Sequence, residues 1–135
     1  MAEPPLILVV DDEAHIRHVV SLKLKNAGYE VLTAEDGEEG LSLALEHMPA
    51  LVLTDYQMPF LSGLEMATRL CEHEPTSTTP VLMLTARGFN IPDEALEKTN
   101  IIAVLAKPFS PRDVLARVNE LLGNRPAGAE VKEVP

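Results

Sequence analysis

Four short apolar runs in this 135-residue chain each lead to a residue able to handle a charged ligand. Leu6–Val10 runs into Asp11-Asp12-Glu13, and the apolar opening of Ala50–Pro59 leads to Asp55. Val81–Leu84 reaches Thr85, and Ile101–Ala106 reaches Lys107. An aspartate is ionised at pH 7, so Asp55 is a nucleophile that can attack phosphorus without a general base. Asp11 and Asp12 brought beside it would repel it unless a cation sat among the three carboxylates. A hard divalent ion with oxygen ligands, Mg²⁺, meets that need. Lys107 would add a fixed positive charge, and Thr85 a hydroxyl to hydrogen-bond a phosphoryl oxygen. Phosphoryl transfer asks mainly for positioning and charge stabilisation, which these residue types provide. Singly, each has an ordinary use: aspartates cap helices, threonines end strands, and a lysine before proline is a solvated loop charge. Their recurrence at successive strand ends is what sets the group apart.

The elements between these runs decide whether they meet. Each run is continuously apolar and β-prone, as in strands buried on both faces of a parallel sheet. Glu30–Ala34 is a further short strand, followed by an Asp36-Gly37 turn. Between strands the pattern turns helical. Ile16, Val19, Val20, Leu24 and Ala27 mark a first helix over Ala14–Ala27, with Gly28 as a left-handed cap. Leu41, Ala44, Leu45 and Met48 mark Glu38–His47, closed by Pro49. Leu64, Ala67, Leu70 and Cys71 share a face of Leu64–Glu74, and Pro75–Pro80 reads as a polar connection. A short, weakly patterned helix occupies Asp93–Lys98. Ser110 caps a last helix with Pro111 at its first position; Val114, Leu115, Val118, Leu121 and Leu122 form its stripe and Gly123 ends it. Five strands alternating with five helices, joined by right-handed crossovers, give a doubly wound parallel sheet with helices on both faces. A closed barrel needs eight such units and about 250 residues, so the sheet is open. Its ligand crevice lies at the carboxyl ends of the strands, where the four polar positions fall. Residues 1–123 form one domain, and 124–135, without periodicity, read as a flexible tail.

Composition excludes other classes. A net charge of −10 argues against a nucleic-acid surface, which needs clustered Lys and Arg. One cysteine forms no internal disulfide. No secretory signal pattern and no apolar run near 20 residues is present, so a cytoplasmic protein with no membrane partner is expected.

Taken together, Asp11-Asp12, the run Asp55-x-x-Met58-Pro59-x-x-x-Gly63, Thr85-Ala86 and Lys107-Pro108-Phe109 resemble the receiver domain of two-component response regulators, and in particular a single-domain chemotaxis receiver. The resemblance spans about residues 5–123. It implies a flavodoxin-like five-stranded sheet in the order 2-1-3-4-5 with five helices. It also implies that Asp55 accepts a phosphoryl group from the phosphohistidine of a histidine kinase or histidine phosphotransfer protein, with Mg²⁺ required. Asp12 and Asp55 would then be direct metal ligands, the Gln57 backbone carbonyl a third, and Asp11 would act largely through water. Thr85 and Lys107 would contact the phosphoryl oxygens, and the Lys107-Pro108 peptide would be cis. The domain would catalyse only its own phosphorylation and dephosphorylation, and pass the signal to an unknown downstream protein.

One position departs from that family. Three residues before the lysine, where Tyr or Phe is usual, stands Val104. A valine cannot report a Thr85 shift by exchanging a large exposed surface for a buried one. Output would then run through the loop after Thr85, with Phe89 and Ile91, or through occupancy of the acidic face. Gln57 and Arg87 would flank the phosphoryl group, and Arg87 would hinder attack by water through a charge-assisted hydrogen bond. Two other readings compete. An aspartyl phosphatase of the haloacid dehalogenase type would carry Asp-x-Asp after the first strand, which Asp11-Asp12-Glu13 does not match. A receiver-shaped interaction module working without phosphorylation gains some room from Val104. His15 and His18 stand at a metal-binding spacing but lack a third ligand, and Cys71 reads as buried packing.

Overall fold

The computed structural model describes residues 4–58, 61–85, 91–106 and 109–123. Five strands, β1 (Leu6–Val10), β2 (Glu30–Ala34), β3 (Leu51–Asp55), β4 (Val81–Thr85) and β5 (Ile101–Ala106), form one parallel sheet in the order β2-β1-β3-β4-β5. The reversal of direction at β1 and β3 is the topological switch point, and it opens a crevice beyond their carboxyl ends. The central strands β3 and β4 are buried at every residue, which accounts for the apolar residues that open both, and the polar Thr54, Asp55 and Thr85 at their carboxyl ends are buried with them.

Period-two alternation divides the sheet between two cores. Leu8, Val10, Val52, Val81 and Met83 face one side; Ile7, Val9, Leu51, Leu53, Leu82 and Leu84 face the other. The first side is covered by α2 (Gly37–His47), α3 (Gly63–Glu72) and α4 (Asp93–Lys98). The second is covered by α1 (Ala14–Asn26) and α5 (Pro111–Leu122). The stripes of α1, α2, α3 and α5 all take part, with differences from the sequence reading. In α1, Val20 and Leu24 are buried but Ala27 is exposed, because the helix stops one residue earlier. Gly28 does take a positive φ, 101°. In α2, Met48 stands outside the helix in a left-handed conformation and is 58% exposed. Gly40 is buried in the same helix and packs closely, since a side chain there would press on Val10 Cγ2 and Met66 Sδ at 2.8 and 2.9 Å.

The third helix ends at Glu72, two residues short of expectation, and a 3₁₀ turn over Glu74–Thr76 follows. That turn is not merely polar: Thr76 is fully buried, its hydroxyl donating to the Leu70 carbonyl at 2.7 Å. Cys71 is half-buried and not a core residue. The edge strand β5 departs most. A register irregularity between Val81 and Leu82 leaves Ile102 unmatched and 51% exposed, and Val104, on the α4 side of the sheet, is 37% exposed. Ile91 is buried against the first core and therefore offers no surface contact of its own. Arg87 and Phe89 lie outside the described residues. Among the described residues no helix is long and apolar enough to cross a membrane.

Candidate phosphoacceptor and metal site

The crevice begins where β1 and β3 end. Asp11 still donates its N–H to the Ala34 carbonyl at 3.2 Å, so the sheet geometry extends to the first acid. Its carboxylate Oδ1 accepts the Glu13 N–H at 2.9 Å. Glu13, the N-cap of α1, supplies no side-chain cap of its own, so Asp11 takes over satisfying the helix start. The positive end of the α1 dipole thus abuts the two acids, offsetting part of their repulsion. Asp11 is wholly buried and Asp12 exposed.

On β3, Asp55 is the last strand residue and is 6% exposed. Its position is set through the backbone. The Thr54 hydroxyl donates to the Asp55 carbonyl at 3.0 Å, and Tyr56 N–H donates to the Leu84 carbonyl at 2.8 Å. The following loop returns so that Gly63 N–H donates to the Tyr56 carbonyl at 2.8 Å. That closure requires glycine: a Cβ at position 63 would fall on the Asp55 carbonyl oxygen and lie 2.9 Å from Met83 Sδ. The turn is held by a capping box, Ser62 Oγ accepting Glu65 N–H at 3.1 Å and Glu65 Oε1 accepting Ser62 N–H at 2.9 Å.

These supports bring one carboxylate oxygen each from Asp11, Asp12 and Asp55 within 4.8 Å of one another. An all-oxygen, three-carboxylate donor set, part buried and part open, suits a hard divalent cation that keeps some of its water. Thr85, 1% exposed, ends β4 one strand away from Asp55 and one register step further along, so its neighbour across the ladder is the Tyr56 position. The last residue of β5, Ala106, pairs with Thr85; Lys107 and the Lys107-Pro108 peptide lie outside the described residues. Gln57 is exposed beside Asp55. His15 and His18 are exposed on α1, and the acidic trio is the one cluster of three or more potential metal ligands among the described residues.

With this geometry in place, the comparisons are specific. The model of the response regulator receiver domain matches residues 7–119. The chain belongs to that family. The phosphate regulon transcriptional regulatory protein PhoB of Pseudomonas aeruginosa is 39% identical over 131 residues, covering 96% of this chain and 56% of that regulator. The chain spans about half the length of the curated relatives it matches. A putative response regulator from Chloroflexus aurantiacus superposes with a TM-score of 0.81 at 34% identity, covering 90% of this chain and all of that one. The chemotaxis response regulator CheY4 of Vibrio cholerae gives 0.80 at 32%, covering 87% and 98%. This is a receiver domain of the two-component response regulators, with the strand order that the resemblance implied.

Two supporting groups were not singled out from sequence: the Thr54 hydroxyl behind Asp55, and Arg17, whose Nη1 donates to the Asp11 carbonyl at 2.7 Å. Helical side chains lean toward the N-terminus, so an arginine in the first turns after Asp11-Asp12 was the available signal.

Proposed function

We propose that Asp55 is the phosphoacceptor of this receiver, taking a phosphoryl group from the phosphohistidine of a histidine kinase or a histidine phosphotransfer protein. The observation that carries this reading is the three-carboxylate cluster, formed at the switch point from the two strands that flank it. An Asp55 oxygen attacks phosphorus as the N–P bond breaks; the departing imidazole nitrogen keeps the electron pair and takes a proton from solvent. Asp12 and Asp55, with the Gln57 carbonyl, would hold Mg²⁺ directly, and Asp11 largely through water. When bound, Mg²⁺ supplies charge neutralisation for the phosphoryl oxygens. Thr85 would donate its hydroxyl to one of those oxygens and Lys107 would pair with another.

The same residues account for reversal, with water replacing imidazole at phosphorus and Asp55 leaving as carboxylate. Apart from its phosphoryl donor and water, the domain thus acts only on itself. Residues 1–123 are taken as the receiver unit, consistent with the family match, and a downstream protein as the reader of its altered surface; nothing favours nucleic acid or membrane as a partner of this acidic unit. The exposed Val104 favours output without an aromatic switch.

An acyl phosphate is cleaved by hydroxylamine, whereas a phosphoserine or phosphothreonine ester is not. After incubation with phosphoramidate and Mg²⁺, hydroxylamine should release the phosphoryl group and leave a hydroxamate on the peptide containing Asp55. A hydroxylamine-stable label, or a hydroxamate on another peptide, would refute the assignment.

A further inference from the structure

We propose that Arg17 is a positioning residue for the metal-binding acids, a role that rests on reading Asp11, Asp12 and Asp55 as the Mg²⁺ site. The peptide after Val10 must turn sharply from strand to helix while presenting two adjacent carboxylates to one point. Three hydrogen bonds to described residues hold Asp11 there: its N–H on the Ala34 carbonyl, its Oδ1 under the Glu13 N–H, and its carbonyl oxygen under Arg17 Nη1 at 2.7 Å. The first contact belongs to the sheet and the second to the start of α1. The third comes from a side chain reaching back along that helix, six residues on. The Asp11 carbonyl belongs to the peptide unit joining Asp11 to Asp12. Holding it sets the direction in which the Asp12 side chain, exposed at the mouth of the cluster, leaves the backbone. Arg17 itself is only half-exposed, and its planar fork loses little freedom in making such a bond.

Positioning and charge make opposite predictions here, which allows them to be separated. Removing a cation beside three carboxylates should by Coulomb's law strengthen Mg²⁺ binding. Removing the group that orients the ligands should weaken it, on the order of tenfold, as loss of ligand-orienting partners does elsewhere. The experiment is a calorimetric titration of Mg²⁺ into the wild type, Arg17→Gln and Arg17→Lys, with metal-free melting temperatures alongside. The expected result is about tenfold weaker binding in Arg17→Gln and an intermediate loss in Arg17→Lys, which keeps the charge but not the fork. A lower melting temperature with unchanged affinity would make Arg17 a stabilising contact only and overturn the proposal. Tighter binding in Arg17→Gln would overturn it as well. Should Arg17→Gln fail to fold, Arg17→Lys decides, and affinity equal to wild type sinks the idea. A wild type that takes up no Mg²⁺ would instead refute the reading of the cluster itself.

Discussion

Asp11 serves two ends at once: its carboxylate satisfies the start of α1 and also faces Asp12 and Asp55. Such a cluster costs stability when no metal is bound, because like charges at these separations repel. Asp12 is the exposed member of the three, and no described hydrogen bond of the fold runs to its carboxylate. Asp12→Asn should therefore raise the melting temperature of the metal-free protein by a few degrees and weaken its response to added Mg²⁺. Thermal melts with and without Mg²⁺ check both signs; a lower metal-free melting temperature would show that repulsion is not what Asp12 contributes. Ser21 is a second residue that the fold tolerates at a cost. It lies on the buried side of α1, and its hydroxyl has no hydrogen-bond partner among the described residues. Ser21→Ala should stabilise by about 1 kcal/mol, since leaving a buried polar group unsatisfied costs about that much or more. Denaturant midpoints would measure it, and an unchanged or lower midpoint would contradict it.

At the scale of elements, the β3–α3 connection bears most directly on Asp55. Gly63→Ala forces a methyl group onto the Asp55 carbonyl and against Met83, so a loss of about 1–3 kcal/mol is expected from overpacking, with disturbance at the acid itself. A urea melt showing less than 0.5 kcal/mol of change, the usual range for harmless substitutions, would mean that the turn simply relaxes. At the other end, Ser110 caps α5 reciprocally with Asp113, and Ser110→Ala should cost about 1 kcal/mol by the same assay. The strands were legible because β1, β3 and β4 are buried on both faces and so are apolar up to the polar residues that close β3 and β4. The same rule misjudged β5, which carries an equally apolar sequence at the sheet edge but leaves Ile102 and Val104 half in solvent. Helix ends were legible where a cap residue marks them, as at Ser110 and Gly123, and less so at Glu72, where the first break in the sequence, Pro75, already belongs to the following 3₁₀ turn. The acids were visible as strand-end residues. The bonds that aim them, from Thr54 and Arg17, were not, because they depend on where the folded backbone sends two ordinary side chains.

For the molecule as a whole, a rigid sheet covered on both sides fixes β1 and β3, and hence the two acid-bearing strand ends, relative to each other. Under the proposed function, this frame makes Asp55 a Mg²⁺-dependent phosphoacceptor. Intact mass after incubation with acetyl phosphate, with and without Mg²⁺ and beside Asp55→Asn, tests it most directly. A single phosphoryl adduct that requires Mg²⁺ and is absent from Asp55→Asn is the predicted result. An equal adduct on Asp55→Asn, or none on the wild type from either acetyl phosphate or a phosphorylated histidine kinase, would contradict it.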